Sequence, residues 1–432
     1  MKDQGSSMPC ALSQRYALMG ATVLALLCLL VLFGTADRAQ AYPGVGDFVR
    51  GQVVVKLKPT GATIENINTS YGSTTLERFP GSTGIYLLKL QAGSDLLGVV
   101  EKMTADPRLL FAEPNFLSQA PEGDGRHKAW GVSASGPSPT DYAAKALGLS
   151  EAHAISRGSG TTVAVLDTGA QLDHPALKAN FEGVKRYDFV DSDTNPSDRQ
   201  VGRDADGDGY KDEMVGHGTH VAGIVDLSAP GAKIMPLRVL DTEGYGDVFA
   251  IAKAVSYAER NAADVINLSL GTPSRSRLLR EAIDDAADKG VVTAAAAGNS
   301  NITVPHYPAA GTGVAAAVDG LLAVTSVDAY EKKSHFANYG VWVDIAAPGE
   351  GIRSAFPVSV YASWSGTSMA TPFIAGQAAL VHAVDGSLGP AGVERRIRCS
   401  ARPLALKNPT YVGMLGAGHA DVRASLDPGA CR

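Results

Sequence analysis

Apolar residues recur along this chain with two different periods, and the change from one to the other marks out its elements. Between residues 45 and 118, "GQVVVKLKP" and "GIYLLKL" read as strands, while "DLLGVVEKMTADP" spaces its apolar positions as a helix does. A small α+β domain is expected there. The stretch that follows, "SQAPEGDGRHKAWGVSASGPSPT", is rich in Gly, Pro and Ser, a composition that predicts an exposed linker over 119–141 and a domain boundary. From about 142 to 432 the strand-like runs "TTVAVLDTG", "KIMPLRVLD", "DVINLSLG", "VVTAAAAGN" and "LLAVTSVDA" alternate with the helical patterns "VFAIAKAVSYAERNA" and "RLLREAIDDAADKG". That alternation predicts an α/β fold, a mostly parallel sheet covered by helices. Ligands in such sheets bind beyond the carboxyl ends of the strands, which directs attention to Asp167 after "VAVL", Gly271 after "INLSL" and Asn299 after "VVTAAAAG".

Ahead of these domains, Lys2 and Arg15 precede an apolar run from Ala17 to Gly34, and Ala39-Gln40-Ala41 offers small residues for cleavage before Tyr42. Residues 1–41 therefore read as a signal peptide and the mature protein as secreted, with a retained membrane anchor as the alternative. Cys10 and Cys28 would leave with the signal. Cys399 and Cys431 remain, an even pair for which a disulfide is expected in an oxidising compartment. The net charge of −6 provides no cationic footprint for nucleic acid or an anionic membrane, so neither is expected as a partner.

Five hydroxyls crowd "SWSGTSMATP" at 363–372, and a serine becomes a nucleophile only when a neighbouring base takes its proton. "GHGTHVAG" at 216–223 supplies His217 between two glycines that permit close approach, and Asp167 leaves an apolar strand where it could orient an imidazole. His220, one helical turn on, and His174 in "LDHP" are rivals for the base.

Together, "VAVLDTG", "GHGTHVAG", "AAGN" and "SGTSMATP" resemble the four signature blocks of the subtilisin-like serine peptidases, in that family's order, and the likeness runs from about 145 to 425. The resemblance implies Ser368 as nucleophile, His217 as general base and acid, Asp167 as the group that fixes the imidazole, and Asn299 as an oxyanion donor with the Ser368 backbone N–H. It makes His220 and His174 structural, Thr367 and Thr371 local hydrogen-bonding residues, and Ser363 and Ser365 strand-end or groove positions. By the same likeness Gly244, Tyr245 and Gly246 on one side and Ser269, Leu270 and Gly271 on the other would flank an extended protein or peptide substrate. Ala296, Ala297 and Gly298 would wall a primary specificity pocket that admits large apolar side chains.

Residues 45–118 resemble the inhibitory propeptide of the same family, through "GQVVVKLKP", "IYLLKL" and "ADPRLLFAEPNF". A zymogen is implied, with the propeptide as its own inhibitor and self-cleavage expected between Leu117 and Arg126. A catalytically inactive peptidase-like binding module is the alternative, and it would call for a broken triad. "DADGDGYKDE" places Asp204, Asp206, Asp208 and Asp212 in a pattern that partly matches a calcium loop, although Val215 stands where a bidentate Glu belongs. A structural calcium ion is the expectation, with a solvated acidic loop as its alternative.

Overall fold

The computed structural model describes residues 48–59, 61–123, 128–137, 141–204, 207, 209–311 and 320–429. The apolar run read as a signal peptide, Asp206, Asp208 and Cys431 lie outside the described residues.

The N-terminal unit is an antiparallel sheet of β1 (Phe48–Leu57), β2 (Ser73–Arg78), β3 (Ile85–Leu90) and β4 (Leu109–Gln119), in the order β2-β3-β1-β4. Two helices, Ile64–Tyr71 and Leu96–Thr104, cover one face. The first was not expected from the sequence, because it buries only Ile64 and Ile67. A Thr63/Asn66 capping box starts it and Gly72, at φ 62°, ends it in the left-handed region.

Period two along β1 divides its side chains between two cores. Val53 and Val55 pack with Ile67, Leu88, Leu90 and Met103 beneath the unit's own helices. Val54 joins Phe79, Ile85, Leu87 and Phe111 in the large core of the C-terminal domain. Phe79 meets Phe249 edge to face at 5.6 Å.

The C-terminal domain adds β5 (Trp130–Ser133), β6 (Thr162–Asp167), β7 (Tyr187–Asp188), β8 (Lys233–Arg238), β9 (Tyr245–Asp247), β10 (Val265–Leu268), β11 (Val292–Ala296), β12 (Leu321–Val327), β13 (Ile345–Pro348), β14 (Ile352–Phe356) and β15 (Val360–Trp364). Seven of them form one parallel sheet in the order β13-β12-β11-β10-β6-β8-β7. All residues of β10, β11, β12 and β13 are buried, as continuous apolar runs covered on both faces should be.

The helix Thr367–Val384 is buried through Val381 and carries Pro372 in its second turn. Proline has no N–H, so the carbonyl of Ser368, four residues back, loses its helical donor. The Ser269 hydroxyl donates to that carbonyl instead, at 3.0 Å, and ties this helix to the segment after β10.

The expected exposed linker is anchored at both described ends, although the residues Trp130–Ser133 are exposed. Ala120 and Glu122 are buried. Residues 130–133 add β5 to the open edge of the β14–β15 hairpin, where unpaired backbone groups need a partner. Arg353 fastens that strand through Nε to the Ser135 carbonyl (2.7 Å) and through Nη1 to the Gly131 carbonyl (3.0 Å). Cys399 is disulfide-bonded.

Candidate active site

Asp167 ends β6, and its Oδ1 lies 2.7 Å from His217 Nδ1. His217 begins the helix His217–Ser228, and its neighbours explain the glycines around it. Gly216 has φ 98°, and a Cβ on Gly218 would stand 2.1 Å from the Gly169 carbonyl oxygen. Trp364 braces the imidazole edge to face at 5.3 Å.

Ser368 lies in the first turn of the helix that starts at Thr367. Asn299 accepts from the Thr367 N–H and hydroxyl, each at 2.9 Å, through Oδ1. Those two bonds orient the amide so that its Nδ2 faces the centre. The structure thus brings Asp167, His217, Ser368 and Asn299 into one cluster, in which the first three are buried and Asn299 is half-buried.

A residue not singled out in the sequence occupies the middle of that cluster. Glu122 Oε2 accepts from the Ser368 hydroxyl at 2.7 Å and pairs with His217 Nε2 at 3.1 Å, while its Oε1 accepts from Asn299 Nδ2 at 2.8 Å. A Cβ on Gly366 would lie 1.7 Å from Oε1, so the glycine makes room for the carboxylate. Burial alone would raise the Glu122 pKa, but its bonds to His217, Ser368 and Asn299 outweigh burial and lower it. Burial alone would lower that of His217, yet Asp167 and Glu122 push it up to about 10. The imidazole is held as a cation.

Glu122 arrives by way of the groove. Leu117, Ser118 and Gln119 pair with Asp247, Gly246 and Tyr245 of β9. Gln119 exchanges both backbone bonds with Gly271 at 2.9 Å, and the Ala120 N–H reaches the Gly244 carbonyl at 3.0 Å. The tail is therefore a strand laid between Gly244–Asp247 and Gly271, along the backbones expected to flank a substrate. It then turns. The Gly123 N–H bonds back to the Ala120 carbonyl at 2.9 Å, with Pro121 second and Gly123 fourth in the turn, their preferred places. The main chain leaves the cleft at Ala120, and a side-chain carboxylate meets the serine in place of a peptide carbonyl. "APEG" announces a turn in the sequence, but nothing local says where its glutamate points.

The rival histidines are engaged elsewhere. His220 Nε2 contacts the Ile352 and Ala362 carbonyls at 3.0 and 3.2 Å, and burial pushes its pKa down to about 3. His174 Nε2 contacts the Val360 carbonyl at 3.1 Å. Sequence reasoning also missed Asp198. Its carboxylate accepts from the Gly216 N–H (2.9 Å), the Thr219 N–H (3.1 Å) and the Thr219 hydroxyl (2.7 Å), which clamps the helix start that carries His217.

Of the four expected calcium ligands, Asp204 and Asp212 fall within the described residues. Asp204 Oδ1 accepts from the Gly207 N–H at 2.8 Å. Asp212 turns both oxygens to backbone, accepting from the Gly202 N–H at 2.7 Å, Val201 at 3.1 Å and Arg203 at 3.3 Å. It is committed to a backbone turn and does not fit a cation cage. Among the described residues no group of three His, Cys, Asp or Glu side chains could hold a metal ion.

Two residues of β4 tie the N-terminal unit to helix starts of the C-terminal domain. Glu113 accepts from the Ser276 hydroxyl (2.7 Å) and the N–H groups of Arg277 (2.8 Å) and Leu278 (3.1 Å), at the start of the helix Arg277–Asp288. Asn115 accepts from the Phe249 N–H at 3.1 Å, at the start of the helix Val248–Arg260. Each supplies a partner to N–H groups that a helix leaves open.

A serine hydroxyl, an imidazole backed by a carboxylate and an amide donor at the carboxyl ends of a parallel sheet define a hydrolase of the serine peptidase class. Comparisons with known proteins narrow the class. Residues 158–418 match the Subtilase family and residues 34–115 the Fervidolysin N-terminal prodomain. The chain is 33% identical over 362 residues to the thermophilic serine proteinase of Bacillus sp. (strain AK1), covering 78% of this chain and 79% of that one. It is 40% identical over 254 residues to thermitase of Thermoactinomyces vulgaris, covering 56% and 82%. The crystal structure of fervidolysin from Fervidobacterium pennivorans shares the fold, with a TM-score of 0.69 at 22% identity over 89% of this chain and 62% of that one. The chain belongs to the subtilase family and is a subtilisin-like serine endopeptidase made as a zymogen.

Proposed function

We propose that this zymogen is kept latent by the Glu122 carboxylate and activates itself by cutting between Leu117 and Arg126, after which Ser368 hydrolyses peptide bonds through an acyl-enzyme. The observation that carries this reading is the set of three bonds from Glu122 to His217, Ser368 and Asn299. They engage the groups that acyl transfer needs, and the protonated His217 cannot act as a base while they last.

With the carboxylate withdrawn, Ser368 Oγ attacks the acyl carbon of a peptide bond in the groove, and its proton passes to His217 Nε2. Asp167 holds the imidazole through Nδ1 and stabilises its charge. Asn299 Nδ2, with the Ser368 N–H, takes the negative charge of the carbonyl oxygen; removing one such donor costs about 3–4 kcal/mol. The C–N bond breaks as His217 passes the proton to the leaving amine. Water, deprotonated by His217, then attacks the ester and releases the acid.

Residues 1–41 act as a signal for secretion, 45–118 as the propeptide, and the catalytic domain runs from 142 to 432. The intervening 119–141 carries the processing site, and its β5 stays on the β14–β15 hairpin after the cut. The Asp204–Asp208 alternation is the remaining place for a structural calcium ion.

Covalent labelling of the processed protein with a fluorophosphonate, followed by peptide mapping, tests the nucleophile. Label on Ser368 is the expected result, and label on another serine overturns it. N-terminal sequencing of the wild type and of Ser368→Ala, expressed without other proteases, tests self-processing. A serine variant trimmed at the same bond would refute it.

A further inference from the structure

The pocket expected to accept large apolar side chains lies between Ser269–Gly271 and Ala296–Gly298. The structure places an imidazole there. A Cβ on Gly271 would stand 2.3 Å from His306 Cε1 and 2.5 Å from its Nδ1, and a Cβ on Gly298 would stand 3.2 Å from the same Nδ1. The His306 ring therefore fills the space that the two glycines leave between the walls.

Its position is held from two directions. Tyr307, next in the chain, exchanges both backbone bonds with Thr272 at 2.8 Å, which fixes the backbone beside the strand that follows Gly271. The ring is hydrogen-bonded to the Ala296 backbone. Nδ1 is shielded from solvent and has no partner among the described residues, so the bond to Ala296 falls to Nε2. A carbonyl can only accept, which makes Nε2 the protonated nitrogen and leaves Nδ1 with an open lone pair. Burial pushes the His306 pKa down to about 4, in keeping with a neutral ring.

We infer that His306 sets the specificity of this peptidase for the residue on the acyl side of the scissile bond, shortening the pocket and favouring short side chains with a hydrogen-bond donor, such as Ser, Thr or Asn, over Phe, Tyr or Leu. An aromatic ring needs the volume that the imidazole fills. A short hydroxyl or amide donates to Nδ1 and satisfies a polar atom that an apolar side chain would leave unpaired. The inference rests on the reading of this cleft as the substrate groove of an active peptidase.

The test is kcat/KM of the processed enzyme on matched peptides that carry Ser, Ala or Phe at that one position. Wild type, His306→Gly and His306→Ala are compared, with active enzyme counted by fluorophosphonate titration. Ser is expected to exceed Phe by at least tenfold in the wild type, and the ratio to fall at least tenfold in both variants. Because the ratio is taken within each variant, partial misfolding does not change it. A wild type that prefers Phe, or a ratio that neither variant moves, overturns the inference. Failure of the wild type to label or to cut any of the peptides would instead count against the proposed activity.

Discussion

The two larger sheets of this protein are buried by different means. In the catalytic domain the parallel strands are covered on both faces by elements of the same domain, such as the helices Thr367–Val384 and Val248–Arg260, and β10–β13 are buried throughout. In the propeptide one face of an antiparallel sheet has its own core of Val53, Val55, Leu88 and Met103. The other face, with Val54, Leu87 and Phe111, is buried only because the catalytic domain lies against it. The first domain carries its complement within its own chain segment, whereas the second borrows it, as a unit made to be released should. Buried apolar area contributes roughly 25 cal/mol per Å², so this borrowed face supplies the general affinity. Glu113, Asn115 and Glu122 supply the register.

The strongest way to break the comparison is to remove the chemistry that separates the two domains. Ser368→Ala should lower turnover by a factor on the order of 10⁴ or more and leave the propeptide attached, measured by peptide hydrolysis and by the mass of the purified chain. Retained processing at the same bond would contradict it.

Next in size is the plug. Breaking a buried ion pair from one side costs about 3–5 kcal/mol, so Glu122→Ala should make Ser368 in the unprocessed chain react with a fluorophosphonate faster by a factor on the order of 10²–10³. An unchanged rate would mean that the strand 117–120 alone accounts for latency.

The same pair has a pH signature. The Glu122 pKa is lowered in the folded zymogen, so its contribution is present above the ordinary carboxyl value and lost as pH falls through the depressed one. The His217 pKa is raised to about 10, so its contribution is full below about 6.5 and lost as pH rises through about 10. In a Ser368→Ala background, the melting difference made by Glu122→Gln should be largest between about pH 4.3 and 6.5, shrink towards 10 and vanish in strong acid. A difference independent of pH would refute the ion pair.

Smaller is the effect of the caps. Glu113→Ala or Asn115→Ala should each weaken inhibition of the processed enzyme by added propeptide about tenfold, since a helix cap is worth about 1 kcal/mol and these are buried. Fluorescence titration would read it. The smallest effect belongs to calcium: at a threefold excess over Kd, an ion in the Asp204–Asp208 loop would add about 0.8 kcal/mol, roughly a 1–3 °C rise in melting over chelator. Equal melting temperatures would remove the site.

Much of the catalytic domain was legible along the chain because its sheet is built from unbroken apolar runs. Each of the five strand runs read there is a strand of the parallel sheet. The propeptide was read less completely. The helix Ile64–Tyr71 and β2 bury few side chains, so the apolar pattern that reveals an element is weak in them. The Gly/Pro/Ser composition of 119–141 predicted exposure, which β5 keeps, but not its backbone pairing with the β14–β15 edge, to which composition is blind.

By itself the sequence determined the fold class, the family and which hydroxyl, imidazole, carboxylate and amide converge, because those residues sit at strand ends and helix starts marked by glycines. Only the tertiary structure decided what fills the space between them. Glu122 reaches Ser368 across 246 positions, and His306 stands where a Cβ on Gly271 would collide with it. Whether a turn's carboxylate points into a catalytic centre, or an imidazole into a pocket, depends on the course of the backbone through packed space. Periodicity and composition report whether a side chain is buried, and which partner it meets there follows only from that course.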